Sequence, residues 1–272
     1  MNFAFLDSGT GGVPYMLHLK NKYPEMTCAY LADTKHFPYG EKTPGEITNC
    51  ASEVLSLILR TWNPQAVVIA CNTISVTALD ALRSTFSQVP IVGTVPAIKV
   101  AAEVTHSGRI GLLATNATVR HPYIQRLERD FASNCEVFSR GDADLVAFIE
   151  HDLFTATQEQ KRAAVQPAVD YFAKNDCDTI VLGCTHFIHM ADMIRQAAGS
   201  GVQVVDSRDG VVRQALKVKQ LQDAVPRQAG SSSASEPEDR SLFVTGFTQK
   251  KDAEEYSVLC RHLNVKWCGT LS

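Results

Sequence analysis

Two cysteines carry the chemistry that the sequence offers. Cys71 closes the run "AVVIACNT" and Cys184 closes "TIVLGCTH". In each, a β-rich apolar stretch ends in a small residue, then a cysteine, then a threonine one or two places later, ahead of a helical pattern. A helix start favours anions and lowers thiol pKa, so a cysteine there leans toward thiolate. Asn72, Thr73 and Thr185 add polar groups suited to holding a carboxylate. One such cysteine alone is more often a small buried hydrophobe. Two at equivalent points of two similar segments weaken that explanation.

Several chemistries compete for "IVLGCTHFIHM" (180–190). Cys184, His186, His189 and Asp192 are metal-ligand types, but His189 and Asp192 fall in a helix pattern and no second pair has zinc spacing. No metal is therefore expected, and His189 reads equally as a helix residue at an interface. A Cys–His nucleophile pair would use Cys184 and His186 and leave Cys71 unexplained. A reaction that needs base on one face of a carbon and acid on the other uses both thiols. Racemisation at the α-carbon of an amino acid is that reaction. No glycine-rich phosphate cup accompanies a Schiff-base lysine, so nothing points to pyridoxal phosphate, and no cofactor is expected.

Two loops could hold a small polar ligand. "FLDSGTGG" (5–12) lacks the lysine of a phosphate loop, and Pro14 stands where a dinucleotide motif needs its third glycine. Gly9, Gly11 and Gly12 read instead as a strand-to-helix turn that frees backbone N–H groups, with Asp7 and Ser8 as local hydrogen-bonders. "ADTKHFPYGEKTP" (32–44) reads as a turn with a packed Tyr39 beside Gly40.

The elements that must position these residues alternate. Strands are expected at "NFAFLD", "TCAYLAD", "AVVIACNT", "VPIVGTV", "RIGLLAT", "CEVFS", "DTIVLGCTH", "VQVVDS" and "LFVTG". Between them lie helical patterns at "VPYMLHLKNKYP", 46–60, "SVTALDALRSTF", "VRHPYIQRLERDF", 143–149, 159–173, 187–197 and 252–263. Short apolar strands alternating with helices indicate parallel sheets in an α/β fold. The two cysteine segments suggest two similar α/β halves, each presenting a thiol at the carboxyl end of a strand, where open α/β sheets bind ligands. Residues 223–241, "DAVPRQAGSSSASEPEDRS", are poor in apolar residues and read as a flexible insertion.

Composition narrows the class. A formal net charge of −3 over 272 residues argues against a general nucleic-acid binder. The N-terminus has no signal-peptide pattern, and no uncharged apolar run is long enough to span a membrane. The eight cysteines contain no CxxC pair and read as free thiols. A cytoplasmic location is expected, without membrane association.

Six motifs in order, "FLDSGTGG", "YLADTKHFPYGEK", "VVIACNT", "PIVGTVPAIK", "GLLATNATV" and "VLGCTHF", resemble those of bacterial glutamate racemases in the aspartate/glutamate racemase superfamily. The resemblance spans about residues 3–207, with "VTG" near the C-terminus. It implies two pseudo-symmetric α/β domains with mainly parallel sheets facing across a central cleft, residues 1–92 plus 207–272 and residues 93–206. It implies Cys71 and Cys184 as the catalytic thiols, Asp7 assisting the first, His186 assisting the second, and Glu150 as a further acid near the second. It implies that Asp7, Ser8, Tyr39, Gly40, Asn72, Thr73, Thr185 and His186 bind substrate. The implied reaction interconverts L- and D-glutamate without cofactor and supplies D-glutamate for peptidoglycan, hence cell-wall biogenesis and cell shape. The implied partner is glutamate, with a homodimer as candidate assembly. Ile188 departs from the proline that commonly follows Cys-Thr-His-Phe. A related racemase acting on aspartate, or a non-catalytic amino-acid sensor, are the alternatives.

Overall fold

The computed structural model describes residues 1–223, 237–247 and 250–271. The chain forms two compact units, Met1–Thr94 with Arg208–Ser272, and Val95–Ser207. Among the described residues no helix is long and apolar enough to cross a membrane.

Unit 1 starts with β1 (Phe3–Asp7), α1 (Val13–Lys22), β2 (Cys28–Ala32), α2 (Pro44–Trp62), β3 (Ala66–Ile69), α3 (Asn72–Thr85) and β4 (Ile91–Gly93). Strands β1, β2 and β3 are buried at every residue, the pattern of a parallel sheet covered on both faces. Helix α2 starts on a capping box, in which the Thr43 side chain accepts from Glu46 N–H and the Glu46 carboxylate accepts from Thr43 N–H. Its buried stripe, Ile47, Ala51, Val54, Leu55, Ile58 and Trp62, follows the helical repeat.

Unit 2 contains α4 (Ile98–Val104), β5 (Arg109–Ala114), α5 (Asn116–Arg120), α6 (Pro122–Phe131), β6 (Glu136–Gly141), α7 (Ala143–His151), α8 (Gln158–Lys174), β7 (Thr179–Leu182), α9 (Ala191–Ala198) and β8 (Gln203–Val205). The chain then returns to unit 1 through α10 (Arg208–Asp223), β9 (Ser241–Val244), α11 (Lys250–Leu263) and β10 (Lys266–Thr270).

The two sheets are wound alike. Unit 1 has strand order β10-β9-β2-β1-β3-β4 and unit 2 has β6-β5-β7-β8. Every pairing among the described residues is parallel. Within β2-β1-β3-β4 and β6-β5-β7-β8 the first strand lies between the second and third, so β3 matches β7. The strand order reverses beside those two strands, which is where open α/β sheets bind ligands. The α/β class with parallel sheets is as the sequence indicates.

Three local expectations change. The helix read through "VRHPYIQRLERDF" is two, because His121 is extended (φ −77°, ψ 133°) ahead of Pro122. The helix read over 187–197 starts only at Ala191. Residues Thr185–Met190 form a 3-10 turn instead, with Thr185, His186, Phe187, Ile188 and Met190 all buried. Strand β10 and helices α4 and α10 have no counterpart among the elements expected from the sequence. Most of the expected flexible insertion lies outside the described residues. At its end, however, Asp239 is fixed, accepting from Cys28 N–H at 2.9 Å and pairing with Lys20 at 2.8 Å.

Candidate active site

In unit 1 the carboxyl ends of β1, β2 and β3 gather the sequence-selected residues. Pairing of β1 with β3 aligns Leu6 with Ile69, and Ala70 N–H donates to Leu6 O at 2.7 Å. Asp7 therefore lies level with Ala70, one residue before Cys71. Asp7 is fully buried, and its Oδ1 accepts from Ser8 N–H at 2.6 Å. The glycine loop that follows folds over Tyr30, whose hydroxyl donates to Gly9 O at 2.7 Å and accepts from Gly12 N–H at 3.0 Å. Gly12 is required by proximity: a Cβ there would lie 2.7 Å from Ala70 Cβ and 2.8 Å from Ala70 O.

Cys71 is buried, extended (φ −139°, ψ 117°) and stands at the N-cap of α3. It thus sits at the positive end of a fourteen-residue helix. Asn72 and Thr73 form the first turn, both buried. Neither Oδ1 nor Nδ2 of Asn72 has a hydrogen-bond partner among the described residues. A buried amide left so is costly, and such groups in native proteins call for an explanation.

The loop after β2 holds Tyr39 and Gly40 in a 3-10 turn that follows a cis Phe37–Pro38 bond. Tyr39 is 1% exposed and its hydroxyl donates to Asp33 Oδ2 at 2.5 Å. Burial pushes the Tyr39 phenol far up. The Asp33 charge and hydrogen bond push it further, and Cys50 and Cys71 add to this, so Tyr39 lies within electrostatic reach of Cys71.

In unit 2 the carboxyl end of β7 presents Cys184, buried and extended (φ −127°, ψ 136°), before the 3-10 turn. His186 is buried with Nδ1 3.7 Å from Cys184 Sγ, and its Nε2–H donates to Glu150 Oε2 at 2.9 Å. Glu150 comes from α7 and is itself buried. Burial alone would lower the imidazole pKa. The hydrogen bonds to Cys184 and Glu150, with their charges, outweigh it and hold His186 well above its ordinary value. Thr185 is buried beside Cys184. His189 packs against Phe154, ring centroids 5.9 Å apart, and Asp192 is an exposed partner of Arg195. Among the described residues no three His, Cys, Asp or Glu side chains group to hold a metal ion.

One residue escaped the sequence reading. Asp33, fully buried, accepts from Tyr39, from Thr245 Oγ1 at 2.7 Å and from His36 Nδ1 at 2.9 Å. A signal existed: "NFAFLD" and "CAYLAD" both end an apolar strand in aspartate, and Asp33 N–H donates to Asp7 O at 2.8 Å.

The chain matches the family model described as Asp/Glu/Hydantoin racemase over residues 18–215. It is 38% identical over 269 residues to the glutamate racemase of Treponema pallidum (strain Nichols), covering 99% of this chain and 96% of that one. It is 37% identical over 221 residues to the glutamate racemase of Proteus mirabilis (strain HI4320), covering 80% and 76%. Among solved structures it is similar to Escherichia coli glutamate racemase in complex with L-glutamate and the activator UDP-MurNAc-ala. The TM-score is 0.84 at 28% identity, covering 100% of this chain and 98% of that one. With two like-wound parallel sheets, a buried thiol ending the matching strand of each, and relatives aligned over nearly its whole length, the chain belongs to the Asp/Glu/Hydantoin racemase family and is an isomerase.

Proposed function

We propose that this chain interconverts L- and D-glutamate without a cofactor, with Cys71 and Cys184 serving opposite faces of the α-carbon. The observation that carries the reading is that the two thiols end equivalent strands of the two units, one at a helix N-cap and one beside a buried imidazole–carboxylate pair. The glutamate racemases it resembles support glutamate as substrate.

One thiolate takes the α-proton and becomes a thiol, leaving a carbanion. The opposing thiol gives its proton to the other face and becomes the thiolate, and the reverse reaction exchanges the roles. His186, held charged by Glu150, favours the thiolate of Cys184. Asp7 and the α3 N-terminus serve Cys71. Ser8, Tyr39, Gly40, Asn72, Thr73 and Thr185 hold the substrate's carboxylates and amino group. The Asn72 amide, without a partner among the described residues, supports this, since bound substrate would satisfy it. The product D-glutamate would feed peptidoglycan synthesis in the cytoplasm.

The test is racemisation of several amino acids, with α-proton exchange followed in deuterated water. Glutamate should turn over without loss to a chelator, and Cys71→Ser and Cys184→Ser should each lower turnover about a thousandfold. Turnover of aspartate but not glutamate, or full activity in both variants, would overturn the reading.

A further inference from the structure

Unit 1 carries a pocket of about 460 Å³, between the loop after β2, the outer side of α2 and the end of β9. Its volume is in the range of small-molecule sites. Its wall carries two cationic side chains in a chain of net negative charge: Lys35 and Arg60 face it against the single acid Glu53, with the His36 ring beside them. Lys35 pairs with Glu53 at 3.2 Å, while Arg60 has no ion-pair partner among the described residues. Leu57 and Leu271 supply an apolar floor.

We propose that this pocket binds a small organic anion, a phosphate or carboxylate on an apolar body, and that its occupancy tunes the hold on Tyr39. Arg60 and Lys35 would take the anionic group, and the floor would take the body. Arginine suits either anion, through paired donors in one plane.

The link to Tyr39 is a chain of short hydrogen bonds through one carboxylate. His36 and Thr245 line the pocket and both bond to Asp33, and Lys35 N–H donates to Thr245 Oγ1 at 3.1 Å. Asp33 in turn accepts the Tyr39 hydroxyl. An anion that draws the His36 ring or the Thr245 hydroxyl outward removes donors from Asp33 and changes how firmly Tyr39 is held. This coupling rests on Tyr39 being a substrate-holding residue; the binding itself does not.

Calorimetric titration of the full chain at constant ionic strength tests both halves. The probes are phenyl phosphate, benzoate and, as the neutral control, phenol. One or both anions should bind and phenol should not, with the stronger anion identifying the natural group. Arg60→Gln and Arg60→Glu, at an exposed position, should weaken binding about tenfold. The bound anion should shift the glutamate KM about fivefold in the unmodified chain. It should shift KM little in Arg60→Glu and not at all in Tyr39→Phe. Equal affinity in the Arg60 variants, or no binding by either anion, overturns the site. Binding without a KM shift overturns the coupling. A chain that does not racemise glutamate would sink the functional reading and leave the titration still deciding the pocket.

Discussion

Cys71 and Cys184 occupy the same place in two similar sheets, yet their surroundings differ. Cys71 stands at the N-cap of α3, a full α-helix of fourteen residues. Cys184 stands before a six-residue 3-10 turn, with α9 starting only at Ala191. The helix field that reaches Cys71 is therefore weaker at Cys184, because a short 3-10 turn aligns few peptide dipoles. Unit 2 has a different source of positive charge in the same place, the buried His186 braced by Glu150. The positive end beside Cys71 comes from backbone dipoles that never titrate, the charge beside Cys184 from a side chain that does. The lesson is that two like-wound sheets can carry the same residue to the same strand end and still set different sources of positive charge beside it.

The sharpest way to break that comparison is to remove the titrating partner. His186→Asn should lower kcat/KM about a hundredfold. The two enantiomers have equal free energy, so the loss must be the same in both directions. Glu150→Gln should be milder and should move the alkaline limb of the kcat/KM profile to lower pH, because the buried ring loses a carboxylate that raises its pKa. An unmoved limb would mean that the charge on His186 is not used. The raised pKa also makes charged His186 stabilising in full below its ordinary 6.5, with that contribution lost as pH rises through the raised value.

Packing beneath the two thiols should also differ. A Cβ on Gly12 meets Ala70 Cβ and O, which cannot rotate away, whereas one on Gly183 meets the Leu112 Cδ1 tip at 2.6 Å and Leu113 O at 3.2 Å. Gly12→Ala should cost about 3 kcal/mol and Gly183→Ala about 1 kcal/mol in denaturant unfolding. Equal costs would mean that the leucine has no alternative rotamer.

The smallest effect concerns two acids, one in each unit. Partial burial pushes the Asp178 pKa up, but donors from Thr105, Ser107, His106 and Thr179 outweigh it and bring it to about 2. Asp209 is also held at about 2, by Lys22 and His18, but its side chain is 64% exposed. Both carboxylates are depressed, so both stabilise above the ordinary 3.8 and lose that contribution as pH falls toward 2. Asp178→Asn should cost about 1–2 kcal/mol at neutral pH and flatten the acid limb of unfolding, while Asp209→Asn should cost less than about 1 kcal/mol. The reverse order would show that solvent screening is not what separates the two.

Much of the fold was legible because parallel strands buried on both faces leave a plain signature. "AVVI" and "TIVL" announce themselves as β3 and β7, and each thiol follows after one small residue, Ala70 or Gly183. Less was legible where local pattern and packing disagree. Residues 187–190 look like the start of the helix, yet they belong to a 3-10 turn over Thr185–Met190 and the α-helix starts only at Ala191. Strand β10 is partly exposed along its whole length and has no apolar run to betray it. Asp33 lay within a quoted motif without standing out, since only folding brings His36, Tyr39 and Thr245 to its carboxylate.

By itself the sequence determined the alternation of strands and helices, the placing of one cysteine after each matching strand, and the glycine-rich turn that follows the first strand. These follow from burial, periodicity and steric size, which are properties of neighbouring residues. Only the tertiary structure decided that Glu150 reaches His186 across 36 residues, that Thr245 reaches back 212 residues to Asp33, and that the Asn72 amide is buried without a partner among the described residues. The physical reason is that a buried polar group is defined by what surrounds it, and its surroundings come from segments far apart in the chain.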